Sequence, residues 1–212
     1  MSKSNRKNDM NAEQIVGRWM DTWYYSRLKA TSDRKSDLDS QFKGIDVQVS
    51  TKKGHVMNID EKAAITYINK PIRTFSFEVD FINRAGNIHQ GWLFDDSLET
   101  DYYLLMYLTG TEEDIKKLTE ESITSIETIL VSRTKILNYL SDKKDMIENT
   151  STFLRDRGEN GRYYVPGESN FSFYHSTWLA EKPVNVLISK NELSRLSARH
   201  HKVSRDGLVS LK

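Results

Sequence analysis

Not one of the 212 residues is a cysteine. That absence excludes disulfides, thiolate zinc sites and cysteine nucleophiles, and it fits a reducing cytoplasm. No run approaches the ~18 apolar residues that a membrane span requires, so no membrane partner is expected. The first ten residues are polar and lack the apolar centre of a secretory signal. No glycine-rich phosphate loop or dinucleotide fingerprint is present, which sets aside the nucleotide-binding classes that depend on one. Neither sign of charge dominates, since the formal net charge is +1. Affinity for a nucleic acid would therefore have to come from local clusters.

What is present is an ordinary globular composition. Hydrophobic residues make up 37% and charged residues 29%, enough for a core beneath a heavily charged surface. Residues 1–11 read as a disordered basic leader (Lys3, Arg6, Lys7) and residues 12–212 as a single domain. From Ala12 to Leu28, Ile15, Trp19, Thr22 and Trp23 recur at three- and four-residue steps, which predicts a helix. The polar stretch 30–40 reads as a loop. Residues 42–64 form a hairpin pattern with Lys53 and Gly54 at its tip. Strand patterns follow at 74–82, 91–94, 101–109, 125–132, 171–178 and 184–188. Helical patterns lie at 134–143 and 189–197, and 156–169 reads as a long glycine-bearing loop. The expected class is α/β in the α+β sense, a central mixed sheet flanked by helices.

The hairpin carries the chemistry. Strand side chains alternate between faces. Asp46 and Gln48 therefore share one face of the first strand, opposite Ile45, Val47 and Val49. On the second strand Asn58, Asp60 and Lys62 lie together, while Glu61 falls with Met57, Ile59 and Ala63. If the strands pair, Asp46, Asp60 and Lys62 converge. Two carboxylates and an ammonium suit a divalent cation and a phosphate. Magnesium takes one or two carboxylates and keeps positions for water and phosphate, and a bound metal supplies what phosphodiester hydrolysis needs. Asp46 and Asp60 are the expected metal ligands, with Lys62 holding phosphate or activating water. Glu61, Glu13 on the first helix, Glu78 on the polar face of strand 74–82, and Gln48 are further candidates. A wet strand face also carries such charges routinely. Glu61 argues for more than that, because a carboxylate on an apolar face needs a partner, a metal or a lysine.

An aspartate on one strand, a turn, and an acidic-x-lysine triplet on the next resembles the PD-(D/E)XK nuclease superfamily, which includes many restriction endonucleases. The matching residues are Asp46 within Gly44-Ile45-Asp46-Val47, and Asp60-Glu61-Lys62. The resemblance covers roughly residues 12–94. No proline precedes Asp46, and Asp60 and Glu61 are adjacent, so either can be the acidic ligand; alternation favours Asp60 and a bulge would favour Glu61. The resemblance implies a restriction endonuclease-like fold, a Mg²⁺-dependent endonuclease acting on DNA, and a homodimer. The alternative is a catalytically inactive nuclease-fold protein that binds nucleic acid or serves in assembly. Lys52 and Lys53 at the hairpin tip, with Arg155 and Arg157 further on, are the expected DNA-binding residues. Residues 150–212 are the expected DNA-contacting C-terminal part.

Overall fold

The computed structural model describes the backbone from Arg6 to Lys212 and the side chains from Met10 onward. The chain divides into two compact units. Residues Met1–Ile72, Glu99–Ser132 and Ser197–Lys212 form the first, and Arg73–Leu98 with Arg133–Leu196 form the second. Residues 150–212, read from the sequence as one C-terminal part, are thus shared between both.

The first unit opens with α1 (Arg6–Trp23). Ala12, Ile15, Val16, Trp19 and Met20 are its buried stripe, spaced as an amphipathic helix requires. The helix begins inside the expected leader, so residues 6–11 are helical, and residues 1–5 of that leader lie outside the described residues. The stretch expected as a loop contains β1 (Ala30–Arg34), and α2 (Leu38–Phe42) follows it. The Asp37 side chain caps α2 by accepting from the Ser40 N–H at 2.8 Å. The hairpin is β2 (Val47–Thr51) and β3 (Val56–Ala63). Gly54 sits at its tip with φ +81°, a left-handed conformation that favours glycine.

The chain next builds β4 (Thr74–Ile82) and β5 (Ile88–Gln90) of the second unit, then β6 (Tyr102–Gly110) and β7 (Ile123–Ser132) of the first. The second unit is completed by α3 (Arg133–Leu140), α4 (Lys144–Arg157), β8 (Gly161–Tyr163), β9 (Phe171–His175), β10 (Val184–Ser189) and α5 (Lys190–Leu196). The first unit ends with β11 (Arg199–Ser204) and β12 (Leu208–Ser210).

The first unit holds a seven-stranded sheet in the order β1-β2-β3-β6-β7-β11-β12. Only β3 and β6 pair in parallel, so the sheet is mixed. Val47, Val49, Ile59, Leu104, Met106, Leu108, Ile126 and Val203 meet the buried stripe of α1 in one core. The second unit holds a five-stranded antiparallel sheet, β5-β4-β10-β9-β8. Phe75, Phe77, Val79, Phe171, Phe173, Val184, Val186 and Ile188 are its buried residues. The chain is therefore of mixed α and β class.

Two expectations change in the second unit. Residues 91–94 are a turn rather than a strand edge. Gly91 passes so close to β4 that a Cβ there would lie 2.5 Å from the Glu78 carbonyl oxygen. The long loop expected from Asp156 is shorter, because α4 runs to Arg157 and β8 follows. Ser151 interrupts the apolar stripe of α4 between Ile147 and Leu154, and it is buried with them. Among the described residues, no helix is long and apolar enough to cross a membrane.

Candidate active site

Asp46 stands immediately before β2, and its N–H donates to the Ile59 carbonyl at 2.9 Å, which extends the pairing with β3. β3 runs beside β2 and β6 with no register shift. Strict alternation is thus kept, and Asp60 and Lys62 emerge on one face. Lys62 Nζ lies 2.8 Å from Asp60 Oδ1, with the Asp60 side chain 4% exposed and that of Lys62 31%. Asp46 Oδ2 accepts the Glu61 backbone N–H at 2.7 Å. Its negative charge also bears on Asp60 and raises that carboxyl. The three residues expected to converge are brought together.

The electrostatics of this group are unbalanced. Burial pushes the Asp60 carboxyl up, the Lys62 ammonium opposes it, and the neighbouring Asp46 carboxylate adds to the rise; the result is a pKa of about 7. Desolvation pulls Lys62 down, but Asp60 and Asp46 outweigh it and hold the ammonium above its ordinary value. The charges of two acids, one of them buried, bear on a single part-exposed ammonium.

Glu61 points the other way, toward α1. Arg34 Nη1 donates to Glu61 Oε2 at 2.6 Å, Arg34 Nη2 to Oε1 at 3.3 Å, and the Tyr25 hydroxyl to Oε1 at 2.9 Å. Arg34 is itself held by Asp21 at 2.8 and 2.9 Å and by the Gly17 carbonyl at 3.1 Å. Burial raises the Glu61 carboxyl and Arg34 opposes it. What offsets the cost of this carboxylate is an arginine and a tyrosine. Glu61 is therefore corrected from candidate ligand to anchor of β3. Arg34 escaped the sequence reading because it ends an edge strand whose polar side chains show no alternation.

Gln48, Glu13 and Glu78 stand on β2, α1 and β4. Gln48 shares the Asp46 face, but its Nε2 donates to Asn58 Oδ1 at 3.0 Å, a cross-strand bond that commits it. Glu13 is exposed on α1, which covers the opposite face of the sheet. Glu78 lies on β4 of the second unit, where its carbonyl accepts the Leu93 N–H at 3.1 Å. Among the described residues no cluster of three or more His, Asp or Glu side chains forms a cation cage. Lys52 and Lys53 are exposed at the hairpin tip. Arg155 is corrected as a DNA-contacting residue: its guanidinium is 9% exposed and taken by Asp80 and the Lys182 carbonyl. Arg157 is half-exposed at the end of α4 and pairs with Glu159 at 2.6 Å.

No protein-family model, curated protein or solved structure matches the chain. The site therefore has to be judged on its own chemistry. A divalent ion of magnesium type wants hard oxygen ligands, one or two carboxylates and room for water. Asp46 and Asp60 are two such carboxylates, with the Lys62 ammonium 2.8 Å from Asp60.

Proposed function

We propose that the chain is a Mg²⁺-dependent endonuclease of restriction type, hydrolysing DNA phosphodiester bonds from the first unit. The observation that carries this reading is the buried Asp60 paired with Lys62 at 2.8 Å, with Asp46 held beside them by the Glu61 N–H at 2.7 Å. Asp46 and Asp60 would hold the ion, which when bound supplies charge relief to a phosphate and an activated water. The chain's own residues do the rest. The Glu61 N–H fixes the orientation of the Asp46 carboxylate. Lys62, a third exposed, presents an ammonium as a point charge for a phosphate oxygen. Arg34 and Tyr25 hold Glu61, and with it the strand that carries Asp60 and Lys62. Lys52 and Lys53 offer phosphate contacts at the hairpin tip. A restriction endonuclease-like fold, a homodimer and a cytoplasmic setting belong to the same reading.

Supercoiled plasmid incubated with Mg²⁺ tests it. Nicking or linearisation should require the ion and be lost in Asp46→Asn and Lys62→Met, with both variants folded by circular dichroism. DNA binding without cleavage by the wild-type chain selects the inactive nuclease-fold alternative. Neither binding nor cleavage overturns both.

A further inference from the structure

The second unit carries an open face of a different character. One side of α4 packs its Ile147, Ser151 and Leu154 into the unit. Another side sets Met146, Asn149, Thr150 and Phe153 at helical spacing, and with Tyr163 of β8 these line an open cavity of about 400 Å³. Phe153 is 42% exposed. The Phe153 and Tyr163 ring centroids are 5.8 Å apart at 57°. The polar groups of the lining are an amide and two hydroxyls, all uncharged, with the Asn149 amide exposed. A cation flanks the Phe153 ring: the Arg157 guanidinium lies 5.4 Å from its centroid. Arg162 alternates with Tyr163 on β8 and faces the other side of the sheet, where its Nε donates to Ser172 Oγ at 2.9 Å. The Arg157–Glu159 pair is half-exposed on both sides, so water and salt screen it and a phosphate can replace the carboxylate.

Two part-exposed aromatic rings beside an arginine, around a pocket lined by amide and hydroxyl groups, match what single-stranded nucleic acid offers. Every base has a π-face to stack and a polar edge without net charge, joined to phosphates. An anionic metabolite would want a cation inside the pocket, and a cationic one a carboxylate; the lining has neither. We propose that this face receives an unpaired base of a nucleic-acid strand. The base stacks on Phe153 and Tyr163, Asn149 and Thr150 meet its edge, and Arg157 holds a flanking phosphate. The proposal deepens the nuclease reading, on which it rests for its choice of nucleic acid, by naming unpaired strands as a bound form.

Fluorescence anisotropy in EDTA, where no cleavage occurs, tests it on the full chain. The probes are a labelled oligothymidine of about a dozen nucleotides, an abasic strand of equal length and the matching duplex. The oligothymidine should bind about tenfold or more tightly than the abasic strand. Phe153→Ala should remove most of that difference and leave abasic binding unchanged. Asn149→Asp, at a fully exposed position that does not threaten folding, should weaken the oligothymidine by setting a negative charge at the base edge. Equal binding of both strands, or indifference to both substitutions, overturns the proposal. Plasmid cleavage by the wild type with Mg²⁺ separates the two readings. Cleavage without base-dependent binding sinks this face alone, and base-dependent binding without cleavage sinks the catalytic assignment alone.

Discussion

Asp60 and Glu61 are neighbours on one strand, both nearly dry and both raised by burial, and they differ in the donors that serve them. Glu61 receives two arms of Arg34 and a hydroxyl from Tyr25. The second acid on that arginine, Asp21, is 38% exposed and leans on water. Asp60 has one ammonium at 2.8 Å, and a second carboxylate bears on it. On the first face every charge is closed off by a directed partner. On the second, one ammonium serves Asp60 beside the Asp46 charge. A buried acid with a full set of donors marks a strand that must not move, and the acid with fewer donors is where the proposed ion would sit.

The largest test of this contrast removes Arg34. Arg34→Met leaves Glu61 buried with a hydroxyl as its remaining donor, a loss of about 3–5 kcal/mol of stability by urea unfolding. The matching Lys62→Met should cost clearly less, because Asp60 keeps a proton near neutral pH and Lys62 is already part-exposed. Equal losses would erase the distinction between the faces. Next in size is the pH dependence of Asp60. Its pKa rises from 3.8 unfolded to about 7 folded, so between those values the folded state binds the extra proton. Its contribution to stability is therefore present below about pH 4, falls as pH climbs toward 7, and stays low above it. Asp60→Asn, shaped like the protonated acid, should gain about 2–4 kcal/mol at pH 8 and almost nothing at pH 4. Mg²⁺ at pH 8 should raise the melting temperature of the wild type and not of Asp60→Asn.

How much of this was legible in the sequence follows from the same physics. The hairpin was legible, because period-two alternation across Asp46–Val49 and Met57–Ala63 survives any context. So was the convergence of Asp46, Asp60 and Lys62, which alternation and one short turn dictate together. Strand 74–82 was legible for the same reason. Arg34 was not, because β1 is an edge strand whose polar Ala-Thr-Ser-Asp-Arg gives no pattern, and its partner lies 27 residues away. The division into two units was also hidden. Each crossing between them, after Ile72, Leu98, Ser132 and Leu196, occurs without a linker-like change in composition. Arg155 looked like a surface cation because Asp80, its partner, is 75 residues distant in the chain.

Smaller effects refine the contrast. Tyr25→Phe removes one hydrogen bond to Glu61 while Arg34 remains, and should cost about 1–2 kcal/mol in urea unfolding. It should leave the affinity for Mg²⁺, read by calorimetry, nearly unchanged. A large fall in that affinity with little loss of stability would mean that the anchoring face reaches further into the ion site than the hydrogen bonds suggest.

The smallest effect lies at the hairpin tip, where Lys52 and Lys53 join neither group. Both are exposed, and neither belongs to the core or to the ion pairs around β3. Substituting them with alanine should leave unfolding midpoints unmoved. If they contact phosphates, each substitution should lower the slope of log affinity against log salt by about 0.9 for duplex DNA, with equal weakening across DNA sequences. Asp46→Asn should do the opposite, abolishing cleavage and leaving that slope intact. A salt slope indifferent to both lysines would place the phosphate contacts away from the tip, and would leave the Asp46–Asp60 pair to be reached by DNA from another direction.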